Sequence, residues 1–201
     1  MSQSLEYNGS LTAEQFLFRE IRIISRMILD GIDVKSAIEL VLSDNLFQYP
    51  TERQISRMVR ACYKRIEALD NHNLVQVLAM GDIDTAKQVN LYAMMRYNML
   101  VRDFMIRLIG EKLRIHDFFL SKKDINAFFT DLQAQNSTVA SWSEETIKRI
   151  RGVLVRCLVE TQYLENPRDE KLNPIFISEE LERGIRDNED EVALSAFNCF
   201  K

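Results

Sequence analysis

Residues 50–70 read PTERQISRMVRACYKRIEALD, and the reading of this stretch sets the fold class. Stepped at about 100° per residue, the rotation of an α-helix, Ile55, Met58, Val59, Cys62, Ile66 and Leu69 fall on one face. Arg53, Arg57, Arg60 and Lys64 fall on a narrow stripe almost diametrically opposite. That segregation describes a helix with one face for a core and a basic ridge outside it. Pro50 and Thr51 mark the start, because proline is tolerated before or in the first turn and a threonine hydroxyl caps free amides. Asp70, Asn71 and Asn73 mark the end. The ridge is either a solvated face or a surface for phosphates.

Working back from this helix, residues Thr12 to Asp30 predict another, with Thr12 and Gln15 spaced as in a capping box. Phe16, Leu17, Ile21, Ile24, Ile28 and Leu29 make its inner stripe, and Gly31 closes it. Arg19, Arg22 and Arg26 recur on the outer face and read as solvated, with Glu20 nearby. Asp33 then caps a short helix, Val34 to Leu42, and a connector, SDNLFQYP, leads into the basic helix. Short helix, connector, longer basic helix is the order of a helix-turn-helix unit, although this connector exceeds the usual three or four residues.

Working forward, helices are expected over Leu74–Met80, over Thr85–Tyr97 behind Asp82 or Asp84, and over Met99–Leu113. Met80, Met94, Met95, Met99 and Met105 crowd this region and read as flexible filling of a core. The second half repeats the first plan. Ser121 caps a helix Asp124–Leu132, a polar turn QAQNSTVAS follows, and a long helix starts near Ser143. Ile147, Ile150, Val153, Leu154 and Leu158 face inward there, while Lys148, Arg149 and Arg156 face out with Arg151 beside them. Ile175, Phe176 and Ile177 favour a short strand, in the position of a wing. The expected fold is therefore all-α: a compact multi-helix globule with two helix-turn-helix-like units, the second winged by a short β segment. Its expected division is an N-terminal helical lobe, 1–113, and a C-terminal winged-helix-like lobe, 114–201, ending in an acidic tail.

Composition narrows the function. Six glycines and three prolines in 201 residues speak against a sheet-rich fold, and 28% charged residues are ordinary for a globular protein. The net charge is −4, yet Ser178–Glu191 alone holds seven carboxylates against two arginines. The remainder is near neutral, with its cations gathered on helices. No apolar run approaches the ~20 residues of a membrane span, and MSQSLEYNGS lacks the pattern of a signal peptide. Three separated cysteines, Cys62, Cys157 and Cys199, fit a reducing cytoplasm. His72 and His116 are the only histidines, and no phosphate loop, nucleophile elbow or metal-ligand spacing occurs. No enzyme, cofactor or metal is expected.

The segments YNGSLTAEQFLFREIRIISRMILDGI, LVLSDNLFQYPTERQISRMVRACYKRI, RDFM and VASWSEETIKRI, in this order between Tyr7 and Ile177, resemble the BrxA family of bacterial BREX phage-defence systems. The resemblance implies a small, all-helical, cytoplasmic accessory protein with helix-turn-helix elements and affinity for double-stranded DNA. It also implies a place beside the methyltransferase and ATPases of such a system. The matching residues include no catalytic signature.

Two functions stay open at this point. In one, a non-enzymatic, monomeric protein grips duplex DNA with Arg53, Arg57, Arg60 and Lys64 from one helix and Lys148, Arg149 and Arg151 from the other. Phosphate would also approach Ser141, Ser143 and Thr146 at the second helix's start. Glu144 and Glu145 oppose that approach unless they accept from cytosine amino groups. In the other, a helical adaptor meets acidic surfaces of other BREX proteins without touching DNA.

Overall fold

The computed structural model describes residues 6–200, so residues 1–5, part of the stretch read for a signal peptide, and Lys201 lie outside it. The helix expected from Thr12 begins six residues later. Gly9–Thr12 instead forms a 3-10 turn, capped by Asn8 through the Ser10 amide at 3.1 Å. The Thr12 hydroxyl donates back to the Gly9 carbonyl at 2.9 Å and so caps nothing ahead of it. Leu17, in the left-handed region at φ 52°, then turns the chain into α1, Phe18–Leu29. Gly31 closes α1 as expected, at φ 77°, with paired bonds from the Gly31 amide to Ile28 and from the Ile32 amide to Met27.

α2 spans Val34–Ser43 behind Asp33, whose carboxylate accepts from the amides of Lys35 and Ser36. α3 spans Glu52–Leu69, started by the Thr51 side chain accepting from the Gln54 amide at 3.2 Å. All six residues expected on its inner face are buried, joined by Ala61, Tyr63 and Arg65. α4, His72–Met80, and α5, Ile83–Tyr97, are capped by Asn71 and Asp82. α1 packs on α3 and α4, and α5 packs on α3 and α4, so α3 sits inside a four-helix layer with its basic stripe, Glu52 and Glu67 exposed. α6, Met99–Asp103, runs through a π-helical stretch, Phe104–Gly110, into α7, Glu111–Arg114. Met94, Met95 and Met105 are core residues here, whereas Met80 is exposed.

α8 spans Lys122–Gln135, opened by a reciprocal capping box between Ser121 and Asp124. The stretch read as a polar turn holds a single helical turn, α9, Ser137–Ala140. α10 spans Glu144–Glu160, with Ser143 accepting from the Thr146 amide. The strand expected over Ile175–Ile177 does not form. Among the described residues β pairing is limited to one antiparallel bridge, Phe119 with Lys171. The reason lies in Gln88, whose side chain donates to the Phe176 carbonyl at 2.8 Å and accepts from the Ser178 amide at 3.0 Å. Those are backbone groups a neighbouring strand would otherwise use.

The acidic tail is strapped onto the body. α11, Glu179–Asp187, lies on α4 and α5, close enough that a Cβ at Gly184 would fall 2.6 Å from the Leu74 side chain. A 3-10 segment, Glu191–Phe197, then buries Ala193, Leu194, Ala196 and Phe197 against the π-helical stretch. Leu194 and Phe197 dock on the body, while Val192 and Phe200 stay exposed. Asp190 accepts two bonds from the Arg102 guanidinium, at 3.0 and 2.5 Å, and one from the Tyr92 hydroxyl at 3.1 Å. Buried side chains from Leu11 to Phe197 belong to one apolar cluster.

Candidate nucleic-acid interface

Arg53, Arg57, Arg60 and Lys64 are all exposed along α3, and among the described residues none has a hydrogen-bond or ion-pair partner. From Arg53 to Lys64 they span eleven residue steps, about 16 Å of helix. They line a shallow groove of about 510 Å³ together with Ser56 and Ala61. A further wall comes from Glu14, in the segment ahead of α1. One carboxylate oxygen of Glu14 is shielded from solvent and has no hydrogen-bond partner. The groove is thus a row of donors with a single acceptor at its edge.

What holds that wall is Arg65. It is 1% exposed, and its guanidinium donates to the carbonyls of Glu14, at 2.6 Å, and Phe16, at 3.3 Å. The Asn90 amide also donates to Phe16, at 2.7 Å. This buried cation, bound to carbonyls through its two terminal nitrogens while its Nε has no partner among the described residues, ties the chain ahead of α1 to the back of α3. Sequence reading passed over Arg65 and Glu14. The available signal was a lone arginine on the apolar arc of the wheel, a position that demands internal acceptors.

The second helix is less available. Lys148 is exposed and has no partner among the described residues. Arg149 is held by Glu145 at 3.1 Å, and the guanidinium of the half-buried Arg151 lies 5.2 Å from the centre of the buried Phe129 ring. No α10 residue lines the α3 groove. At the start of α10, Ser143 is occupied with the Thr146 amide and Ser141 donates to Thr138, so these side chains serve the local turn. The structure lines one groove with the four α3 cations and with none of the α10 cations.

Arg19, Arg22 and Arg26 are not simply solvated. Arg22 and Arg26 donate to the Ala79 carbonyl, and Arg22 also to Gly81, which closes the C-terminal end of α4. Arg19 donates to the Leu46 carbonyl in the α2–α3 connection. Cations near terminal carbonyls complement the negative end of a helix. The thiols of Cys62 and Cys157 are fully enclosed, and burial pushes both up to about 12, so neither is a nucleophile at neutral pH. Among the described residues no three His, Cys, Asp or Glu side chains gather as a metal site would require.

The BrxA family model matches residues 5–189. Proteins described as BREX protein BrxA are similar to this chain. One from Bacillus cereus is 30% identical over 162 residues, covering 81% of this chain and 80% of its own. One from Escherichia coli is 23% identical over 169 residues, covering 84% and 79%. A third, from Paramagnetospirillum magneticum, is 20% identical over 188 residues and covers 94% of each. A crystal structure of an uncharacterized protein from Magnetospirillum magneticum superposes with a TM-score of 0.81, over 95% of this chain and 97% of that one, at 19% identity. That likeness speaks for the fold. The match over nearly the whole length, together with the three relatives, shows that the chain belongs to the BrxA family.

Proposed function

We propose that this protein is a non-enzymatic accessory protein of a BREX phage-defence system that binds double-stranded DNA, as a monomer in the cytoplasm, without a cofactor. The observation that carries the reading is the α3 ridge: four unpaired cations on a helix whose opposite face is locked into the core. The core fixes the helix backbone that carries them, so meeting an anionic surface orders side chains and no backbone. A duplex supplies such a surface, and its condensed counterions are released when protein cations replace them. Contacts of this kind position a protein on the backbone and carry no base sequence by themselves.

Four phosphate contacts correspond to a slope of about −3.6 in log affinity against log salt, which is roughly a hundredfold loss between 50 and 200 mM. Fluorescence anisotropy of a labelled 20-base-pair duplex across that range tests it. A shallow or absent salt dependence would remove the ridge from the reading.

A second reading keeps the protein in the same system as a helical adaptor that meets its methyltransferase or ATPases and never contacts DNA. The net charge of −4 and the internal engagement of Arg149 and Arg151 favour it. In that case no duplex binding appears even at 20 mM salt.

A further inference from the structure

The segment between α7 and α8 presents an aromatic surface that the other described residues leave partly exposed. Nine large apolar side chains are exposed among the described residues, and three of them, Ile115, Phe118 and Phe119, lie within five consecutive positions. The His116 ring stacks beside Phe118, with centroids 6.1 Å apart and planes 12° from parallel.

This surface stands on a fixed backbone. Lys112, 9% exposed, reaches under the loop to the Asp117 carboxylate and the Phe119 carbonyl, both at 2.7 Å, and to Asp124 at 3.3 Å. The Phe119 amide donates to Asp117 at 3.2 Å. On the other side the bridge to Lys171 is closed by the Leu120 amide on Glu170 at 2.7 Å and the Leu172 amide on Phe118 at 3.0 Å. Exposed rings on a backbone tied from both sides are pre-organised for a partner.

Charge identifies the partner's chemistry. Lys122 and Lys123 at the start of α8, and Lys171 across the bridge, are exposed and have no side-chain partner among the described residues. Of the carboxylates nearby, Asp117 and Asp124 are committed to Lys112 and Glu111 to Arg114, while Glu170 beside Lys171 has no side-chain partner among the described residues. Lysines in the first turn of a helix oppose its dipole, so helix stability does not account for them. Protein–protein interfaces are depleted in lysine. Bases in an intact duplex are already stacked and gain nothing from phenylalanine rings. Unpaired strands gain from both features, because bases stack on aromatic rings while cations track the phosphates.

We propose that the 115–119 loop is a binding site for single-stranded nucleic acid. Bases stack on Phe118 and Phe119 beside His116, and phosphates meet Lys122, Lys123 and Lys171. This site is separate from the α3 ridge and does not depend on the reading of that ridge.

The test uses the full chain, fluorescein-labelled dT15 and a labelled 20-base-pair duplex, with anisotropy at 50 mM salt. Phe118→Ala/Phe119→Ala is expected to weaken dT15 binding at least tenfold and to leave duplex affinity within twofold. Lys122→Glu/Lys123→Glu, with both positions exposed, is expected to do the same with an unchanged circular-dichroism melt. Phe119→Trp, which keeps a stacking surface, is expected to retain dT15 binding, with indole fluorescence quenched on addition. No binding of dT15 by the native chain overturns the proposal. So does wild-type dT15 affinity in both double variants, or a loss caused by Arg57→Gln/Arg60→Gln alone, which would put the strand on the ridge.

Discussion

Replacing Arg57 and Arg60 by glutamine removes the two middle cations of the α3 ridge while keeping polar, helix-tolerant side chains. Both are exposed, and neither bonds to another described residue. The exchange should therefore change stability by less than about 0.5 kcal/mol. Each phosphate contact contributes about 0.9 to the salt slope, so the double variant drops from about −3.6 to about −1.8. At 0.1 M salt the same arithmetic gives about eightfold in affinity per contact, hence roughly sixtyfold for the pair. The assay is anisotropy of a labelled duplex at five salt concentrations, with thermal melts run in parallel. Charge reversal at the same positions should weaken binding further. A variant that melts with the native chain and keeps native affinity and slope would refute the assignment of phosphate to this ridge. A loss of affinity with an unchanged slope would also count against it, because electrostatic contacts cannot be removed without releasing fewer ions.

Three other outcomes follow from the interior and the helix caps. Arg65→Met removes the only hydrogen bond to the Glu14 carbonyl among the described residues, while Phe16 keeps Asn90. Urea unfolding should show a loss of about 1–3 kcal/mol, and duplex affinity should fall as the groove wall loosens; unchanged stability would mean that the guanidinium does not hold the wall. Asp190→Ala strips the strap of its carboxylate and leaves the largely covered Arg102 without its partner. Calorimetry should register a cost of about 2–3 kcal/mol with duplex binding intact. Asp33 and Asp82 are held below the usual carboxylate range, chiefly by hydrogen bonds from the Ser36 and Thr85 amides respectively. Their folded-state values are depressed, so the stability they contribute is present above the unfolded value near 4 and is lost as pH falls through the folded value. Melts between pH 6 and 2.5 should fall less steeply at the acid end for Asp33→Asn/Asp82→Asn than for the native chain.

Much of the helical plan is visible in one dimension because its causes are local. The inner face of α3, the Thr51 start, the Asp33 and Ser121 caps and the Gly31 stop each depend on residues within four positions. The misreading at Thr12 has a tertiary cause: Arg65 and Asn90 anchor the carbonyls of Glu14 and Phe16, and so hold that segment out of the helix. The failed wing is similar, since Gln88, far away in sequence, takes the backbone groups a strand needed.

For the site, the α3 ridge was legible because four cations at helical spacing share one face whatever surrounds them. The α10 set was not, although Glu145 and Arg149 at i,i+4 already advertised a pair. Arg151 was lost to the Phe129 ring, which only helix packing brings near. The sequence by itself determined an all-helical chain, its family and one basic ridge, because periodicity, capping chemistry and motif order are properties of near neighbours. Only the tertiary structure decided which cations remain free, what walls the groove and which aromatic rings stay uncovered. Each of those depends on a partner tens of residues away, brought into reach by the burial of a shared core.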